Sequence, residues 1–303
     1  METQGYRMNQ NGVRVGFIGQ GWIGKHYADD FVARGYDVVR YSLDPQYLGN
    51  REAIANCDIV FIAVPTPTTP DGFNVNSVRD VLSLVGKGKI AVIKSTISPG
   101  TTEQLQHEFP SIFVTHSPEF LVEKTAAYNA SHPDRNIIGI PLTTAEYQEK
   151  AKLILSVLPR APFETVMFSR DAEFVKYAGN CFLFTKVLYM NLLYDVVQSM
   201  GGDWERIKEA FTHDPRIGTS HAEPIHASGR GAGGHCFIKD FEAFRNMYDK
   251  LTDDPIGSDV LKALAYKNIQ LLTDSEKDLD LLTGVYGNLN KFKAWKKTGE
   301  TGL

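Results

Sequence analysis

Cys236 stands in the run Ser228-Gly-Arg-Gly-Ala-Gly-Gly-His-Cys-Phe-Ile-Lys-Asp240, behind four closely spaced glycines and ahead of a Lys/Asp pair. Glycines this dense allow backbone conformations closed to other residues and let a ligand come close to the main chain. A nearby cation favours the thiolate, the nucleophilic form of cysteine. The pattern is that of a covalent nucleophile, although a small buried cysteine beside a loop would give the same letters. Two further constellations favour the nucleophile.

The first lies in the stretch from Asp171 to Met200, which holds no Pro and only Gly179 among glycines, and which is apolar on nearly every side. That composition predicts a long helix buried between domains or between subunits, ended by Gly201-Gly202. Lys176 and Asn180, four residues apart, share one face of it, and Asn191 falls close to the same direction. A lysine on so apolar a helix needs a partner or a chemical task.

The second lies near the N-terminus. Val13–Ile18 is a short apolar strand that runs directly into Gly19-Gln20-Gly21-Trp22-Ile23-Gly24, after which Lys25 to Arg34 continues as a helix. Strand, GxGxxG and helix in that order predict a dinucleotide site. The first glycine permits the tight turn, the second lets a pyrophosphate reach the main chain, and the third lets helix and strand pack closely. The helix N-terminus supplies N–H groups and the positive end of its dipole.

These groups must be held by a larger frame. Apolar runs at Asp37–Tyr41, Ile59–Val64, Ile90–Lys94, Ile112–His116 and Asn136–Ile140 alternate with helical stretches, the signature of a parallel, doubly wound sheet. Ligands in such sheets lie beyond the carboxyl ends of the strands, where Val64-Pro65-Thr66-Pro67, Lys94-Ser95-Thr96 through Thr101, and Ser117-Pro118-Glu119-Phe120-Leu121 fall. The expected organisation is α/β: an N-terminal Rossmann-type dinucleotide-binding domain over 1–168, an all-helical central dimerisation domain with the cysteine loop over 169–273, and a C-terminal tail over 274–303 whose last residues, from Lys291, read as solvated and basic. A chain of 303 residues suffices for two domains, and a net charge of −4 gives no reason to expect a nucleic-acid partner. No run is long and apolar enough for a membrane span, and the polar start through Asn11 lacks a signal-peptide core. Cys57, Cys181 and Cys236 are far apart without metal-ligand spacing, so a reducing, cytoplasmic setting without a metal site is expected, with Cys57 and Cys181 as core residues.

Taken in order, GQGWIG at Gly19–Gly24, VPTP at Val64–Pro67 with Asp71-Gly72, KSTISPGTT at Lys94–Thr102, SPEFL at Ser117–Leu121, HPDRNIIG at His132–Gly139, AEFVKYAGNCFLFTK at Ala172–Lys186, DPRIG at Asp214–Gly218 and GAGGHCFIKD at Gly231–Asp240 resemble the UDP-glucose/GDP-mannose dehydrogenase family. The resemblance covers nearly the whole chain.

It implies a four-electron oxidation of a primary alcohol to a carboxylate by two successive transfers to nicotinamide. Cys236 would form a thiohemiacetal and then a thioester. Lys176 would stabilise oxyanions and assist proton transfer, and Asn180 would hold the reacting oxygen. Glu119, Thr96 and Asp240 would handle water and protons. The cofactor would lie against Gly19 to Gly24, Ser42, Val64, Pro65, Thr66, Ser95 and Thr96; the sugar nucleotide would lie against Glu119, Phe120, Leu121, Gly233 and Gly234. Arg216 would reach across a homodimer to the substrate. Without the resemblance, Glu119 reads as a carboxylate at a helix N-terminus and Thr96 as a strand-end cap.

Departures from the family pattern leave alternatives open. Ser42 stands where most members have the acidic residue that binds the adenosine ribose. With Arg40 two residues before it, the cofactor is expected to be NAD with NADP left open. His235 fits a UDP-N-acetylhexosamine branch, whereas Lys239-Asp240 and DPRIG fit a UDP-glucose branch, so the sugar is ambiguous. The family's third, nucleotide-gripping domain would follow the helix around Ser258–Thr273, and the expectation is a short form without it. Competing readings are a two-electron beta-hydroxyacid or 6-phosphogluconate type dehydrogenase, which needs no cysteine, and a non-catalytic nucleotide-binding subunit.

Overall fold

In a computed structural model, residues 12–289 are described apart from Asp71 and Ser228. The sequence expectations for the polar N-terminal stretch through Asn11, for Asp71, for Ser228 and for the basic residues from 290 onward lie outside the described residues.

The chain opens with β1 (Arg14–Ile18), α1 (Trp22–Ala33), β2 (Asp37–Tyr41), α2 (Pro45–Leu48), β3 (Ile59–Ile62), β4 (Thr68–Thr69), β5 (Gly72–Phe73) and α3 (Asn76–Leu82). It continues through β6 (Ile90–Ile93), α4 (Thr101–Glu108), β7 (Phe113–His116), α5 (Ala126–Ser131), β8 (Arg135–Ile140), α6 (Ala145–Val157) and β9 (Phe163–Phe168). From α7 (Ser169–Ser199) onward it is mainly helical: α8 (Trp204–Thr212), β10 (Ile225–His226), β11 (Gly229–Arg230), α9 (Gly234–Leu251), α10 (Pro255–Asp274) and α11 (Leu279–Tyr286). Two compact units result, one of residues 1–66 and 74–176, the other of residues 67–73 and 177–303.

The first unit is built on a seven-stranded sheet in the order β2-β1-β3-β6-β7-β8-β9. Its β2, β1, β3, β6 and β7 run parallel, with Gly16 of β1 opposite Val39 on one side and Val60 on the other. Chain order reverses about β1, which opens the crevice at which doubly wound sheets bind ligands. Strands β3 and β6 are buried at every position, as continuous apolar runs covered on both faces must be. Phe17, Phe31 and Phe61 meet at ring separations of 5.1 to 5.4 Å in the core between sheet and α1. Two features depart from the expected all-parallel pattern. Strand β8 joins β7 antiparallel at His116 and Gly139, and β9, not foreseen from the sequence, pairs parallel with β8.

The second unit gathers most of α7, the later helices and the β4–β5 hairpin. Helix α7 runs for 31 residues, within two residues of the expected span at each end, because its interior offers neither proline nor a run of β-branched residues to stop it. Asp254 caps α10 by accepting from the Gly257 N–H at 3.0 Å, with Pro255 in the first turn. Leu282, Val285 and Tyr286 of α11 pack with Ile238, Ile269 and Leu272, so the stretch expected as a tail from residue 274 begins with core structure. No helix among the described residues is long and apolar enough to cross a membrane.

Candidate active site

In the first unit the first and third fingerprint glycines take the turn and packing roles expected of them. Gly19 has φ +90°, its N–H donates to the Tyr41 carbonyl at 2.8 Å, and a Cβ there would collide with the Ala63 carbonyl. A Cβ on Gly24 would collide with the Gly19 carbonyl, so helix and turn can approach only without it. Gly21, the N-cap of α1, faces open space and has no side-chain cap; the first turn of α1 holds no acid. An uncapped N-terminus beside open space is where an anionic pyrophosphate fits. Gln20 turns its amide back to the Gly19 carbonyl at 3.2 Å, Trp22 is partly exposed, and Ile23 packs on the core.

At the end of β2, the Ser42 hydroxyl donates to Asp44 at 2.7 Å, and Arg40 donates to Asp29 of α1 at 2.7 Å. The strand ends beyond β3 and β6 are cross-linked. Thr66 donates to the Thr96 carbonyl at 2.6 Å and Ser95 to the Val64 carbonyl at 2.7 Å, which fixes Val64, Pro65 and Thr66 against Ser95 and Thr96.

Glu119 and Lys176 meet in the same unit. The Lys176 ammonium donates to the Glu119 carbonyl at 2.8 Å and to its Oε1 at 2.7 Å, and both side chains are almost fully buried. Oε2 of Glu119 accepts from the Leu121 N–H at 2.8 Å, so the carboxylate closes a turn through Phe120. Glu119 therefore serves an ion pair and a loop rather than a helix N-terminus. Arg135 lies over the Phe120 ring at 3.7 Å. Three residues before Lys176, buried Glu173 accepts from the Gly100 N–H, the Thr102 N–H and the Thr102 hydroxyl at 2.5, 2.8 and 2.6 Å, docking α7 to the start of α4. Burial pushes the Glu173 carboxyl up to about 7 against those donors.

In the second unit, Cys236 is the third residue of the 18-residue helix α9, whose N-cap is Gly233. The glycine run thus ends in a helix N-terminus, where the dipole favours a thiolate. Asp240 lies one turn further along α9 and is buried. It accepts from the Asn180 amide at 2.6 Å and from Lys239 at 2.5 Å. Lys239, the cation three residues after Cys236, is thus engaged by that carboxylate. Burial pushes the Cys181 thiol up to about 12 and Cys57 up to about 11, consistent with core roles for both.

The cysteine segment is held by residues that sequence reasoning did not single out. Asn268 of α10 accepts from the Ala232 N–H at 2.7 Å and donates to the Ala232 carbonyl at 3.0 Å. Lys277 donates to the Gly231 carbonyl at 3.2 Å, and Asp278 accepts from the Gly234 N–H at 2.8 Å. Gly231 and Gly234 have φ of +90° and +79°, and a Cβ on Gly233 would collide with Asp278. Asn191 does not join the Lys176 and Asn180 chemistry: it is fully buried and accepts from Arg230 at 2.8 Å. Arg216 is 87% exposed and held by its own neighbour Asp214 at 2.6 Å. Among the described residues, no group of three or more His, Cys, Asp or Glu side chains could hold a metal ion.

A doubly wound unit with an intact pyrophosphate turn, joined to a helical unit that carries a cysteine at a helix N-terminus, defines a dinucleotide-binding protein of two-unit build. Residues 48–155 match the model for the UDP-glucose/GDP-mannose dehydrogenase family, NAD binding domain, and residues 170–268 the model for that family's central domain. The chain belongs to this family. It is 34% identical over 252 residues to UDP-glucose 6-dehydrogenase YwqF of Bacillus subtilis (strain 168), a match covering 78% of this chain and 54% of that protein. The chain thus spans about half the length of the curated relatives it matches. A UDP-glucose dehydrogenase structure from Pyrobaculum islandicum superposes with a TM-score of 0.73 at 28% identity, over 90% of this chain and 72% of that one. A UDP-D-ManNAc dehydrogenase structure from Pyrococcus horikoshii reaches 0.72 at 19% identity, over 95% and 72%, and shows the shared fold.

Proposed function

We propose that this chain carries out an NAD-dependent oxidation of the primary alcohol of a nucleotide sugar to the carboxylate, with UDP-glucose the first substrate to test. The observation that carries the reading is Cys236 in the first turn of α9, one turn from a buried carboxylate. A two-electron hydroxyacid dehydrogenase has no use for that thiol.

The turn from Gly19 to Gly24 would hold NAD, which when bound would supply the two-electron acceptor for each of the two oxidations. In the first, Lys176 assists removal of the proton from the alcohol and stabilises oxygen as the aldehyde forms. Cys236 Sγ then adds to the aldehyde carbon, and the oxygen takes a proton to give a thiohemiacetal. The second oxidation converts this to a thioester and releases a proton. Water, deprotonated with the help of Glu119 or Asp240, adds to the thioester carbon; the C–S bond breaks, and carboxylate and thiol are released. Asn180, whose amide is oriented by Asp240 at 2.6 Å, holds the reacting oxygen. Thr96 is buried at the β6 end and supports the water. The sugar nucleotide is assigned to Phe120, Leu121, Gly233 and Gly234, and Arg216 to the site of a second copy in a homodimer.

The test is product stoichiometry with UDP-glucose: about two NADH per sugar acid released is expected, and Cys236→Ala should release no acid. One NADH per aldehyde as the only product, or unchanged acid formation by the alanine variant, rules out covalent catalysis.

A further inference from the structure

Lys94 directly follows β6 in the KSTISPGTT segment and is 96% buried, yet no step above uses it. Its ammonium donates to the Ser117 hydroxyl at 3.0 Å and lies 4.5 Å above the Tyr27 ring of α1. Among the described residues it forms no ion pair. The acidic group acting on it is Glu119, two residues after Ser117, which is already bound by Lys176. The surroundings supply little else. Burial keeps the Tyr27 phenol un-ionised, and Asp30 on the same helix is paired with Arg34 at 2.8 Å. On β7, burial and then the charge of Lys94 push His116 down to about 3, which leaves the ring neutral. Lys176 on α7 adds a like charge. A methionine would fill the same space without the cost of burying a cation, so the charge and its hydrogen bond are what distinguish lysine here.

We propose that Lys94 is a positioning residue for the Glu119–Lys176 pair, fixing the Glu119 loop through Ser117 and holding a second positive charge beside the pair. The loop is short, so the grip on Ser117 sets where the Glu119 carbonyl and Oε1 stand, and these two atoms hold the Lys176 ammonium. Burial, against the opposing pull of Glu119 and with a smaller push from the Lys176 charge, brings Lys94 down to about 8, so its charge is lost within an accessible pH range. The inference rests on the dehydrogenase reading for its kinetic consequence and on the geometry alone for its electrostatic one.

The full chain is compared with Lys94→Met, Lys94→Arg and Ser117→Ala, with UDP-glucose and NAD, from about pH 6 to about pH 10. Expected for Lys94→Met is a loss of about tenfold or more in kcat, a sugar KM within about twofold of the parent, and disappearance of the change in kcat centred near pH 8. Lys94→Arg keeps the charge, so it retains more kcat than the methionine variant and carries the profile past pH 8 unchanged. Ser117→Ala keeps the change near pH 8 and lowers kcat several-fold. A folded Lys94→Met with parental kcat and profile overturns the proposal, as do equal losses in the Met and Arg variants with an unmoved profile. If Lys94→Met does not fold, parental kcat in Ser117→Ala overturns it.

A readout independent of turnover is the NMR titration of ε-13C-lysine. The parent should show one lysine titrating near pH 8 that vanishes in Lys94→Met, with the Lys176 signal displaced in that variant and in Ser117→Ala. An undisplaced Lys176 signal overturns the proposal. Absence of any sugar oxidation by the parent overturns the function instead, and leaves the NMR result to decide the role of Lys94.

Discussion

Gly234 donates its N–H to the Asp278 carboxylate at 2.8 Å, which ties the first turn of the cysteine helix to the residue that precedes α11. Because Gly234 sits at positive φ, this bond and the Asn268 and Lys277 bonds to Gly231 and Ala232 together define where α9 begins. Asp278→Ala should lower kcat with a small change in cofactor affinity, and should cost about 1 to 2 kcal/mol of stability. Asp278→Asn, which can still accept, should lie between parent and alanine. Urea unfolding and steady-state kinetics check both, and an alanine variant with parental kcat would show that the tie does not set the thiol's position.

At the cofactor end, the Ser42 hydroxyl and Asp44 form a pair 2.7 Å apart, while Arg40 is engaged by Asp29, which Lys25 also holds at 2.8 Å. A 2′-phosphate would have to displace Asp29 from Arg40 and approach the Asp44 carboxylate. The ribose hydroxyls of NAD, by contrast, can donate to that carboxylate. NAD should therefore bind more tightly than NADP, and Asp44→Ala should weaken NAD by about 10- to 100-fold, the worth of one hydrogen bond to a charged group. Fluorescence titration measures it; equal affinity of the alanine variant for NAD would remove Asp44 from the ribose site.

Helix α7 leaves Phe182, Tyr189, Leu192 and Val196 exposed, Phe182 by 67% and Tyr189 by 53%. With Thr185 between the first two, these positions follow alternating steps of three and four residues, the seam of paired helices. A second copy of the chain is the proposed occupant, since a two-fold contact presents the same apolar face twice. Tyr189→Glu with Val196→Asp should convert a dimer at micromolar concentration to a monomer in sedimentation velocity. A parent that sediments as a monomer would exclude this assembly and the assignment of Arg216 to a second site.

Where residues act through neighbours in sequence, the chain is readable by eye. The fingerprint glycines, the strand ends at Val64 and Lys94, and the length of α7 depend on local pattern, and the structure places each within a residue or two of expectation. Strand β9 escaped because its four interior residues are half-buried and the phenylalanines at its two ends are exposed, giving neither alternation nor a continuous buried run. Asn268, Lys277 and Asp278 escaped for another reason. Each is an ordinary polar residue until folding brings it to a backbone group about 40 positions away, and no spacing rule spans that distance. Lys94 lies in the KSTISPGTT segment, but its burial and, among the described residues, its lack of an ion pair emerge only in three dimensions.

Glu173 should make stability depend on pH in an unusual direction. Burial raises its carboxyl from the ordinary 4.5 to about 7, although three donors favour the ionised form. Between those values the folded chain keeps a proton that the unfolded chain has lost, so this contribution is fully present below about 4.5 and is lost as pH rises to about 7. At full development it is on the order of 3 kcal/mol. Urea denaturation of the parent should therefore show stability declining across this window, and Glu173→Gln, which cannot ionise, should show a flatter profile from a lower start because its amide leaves a donor of Gly100 or Thr102 without an acceptor. If parent and Glu173→Gln have the same pH slope, the carboxyl is ionised throughout and the three donors outweigh its burial.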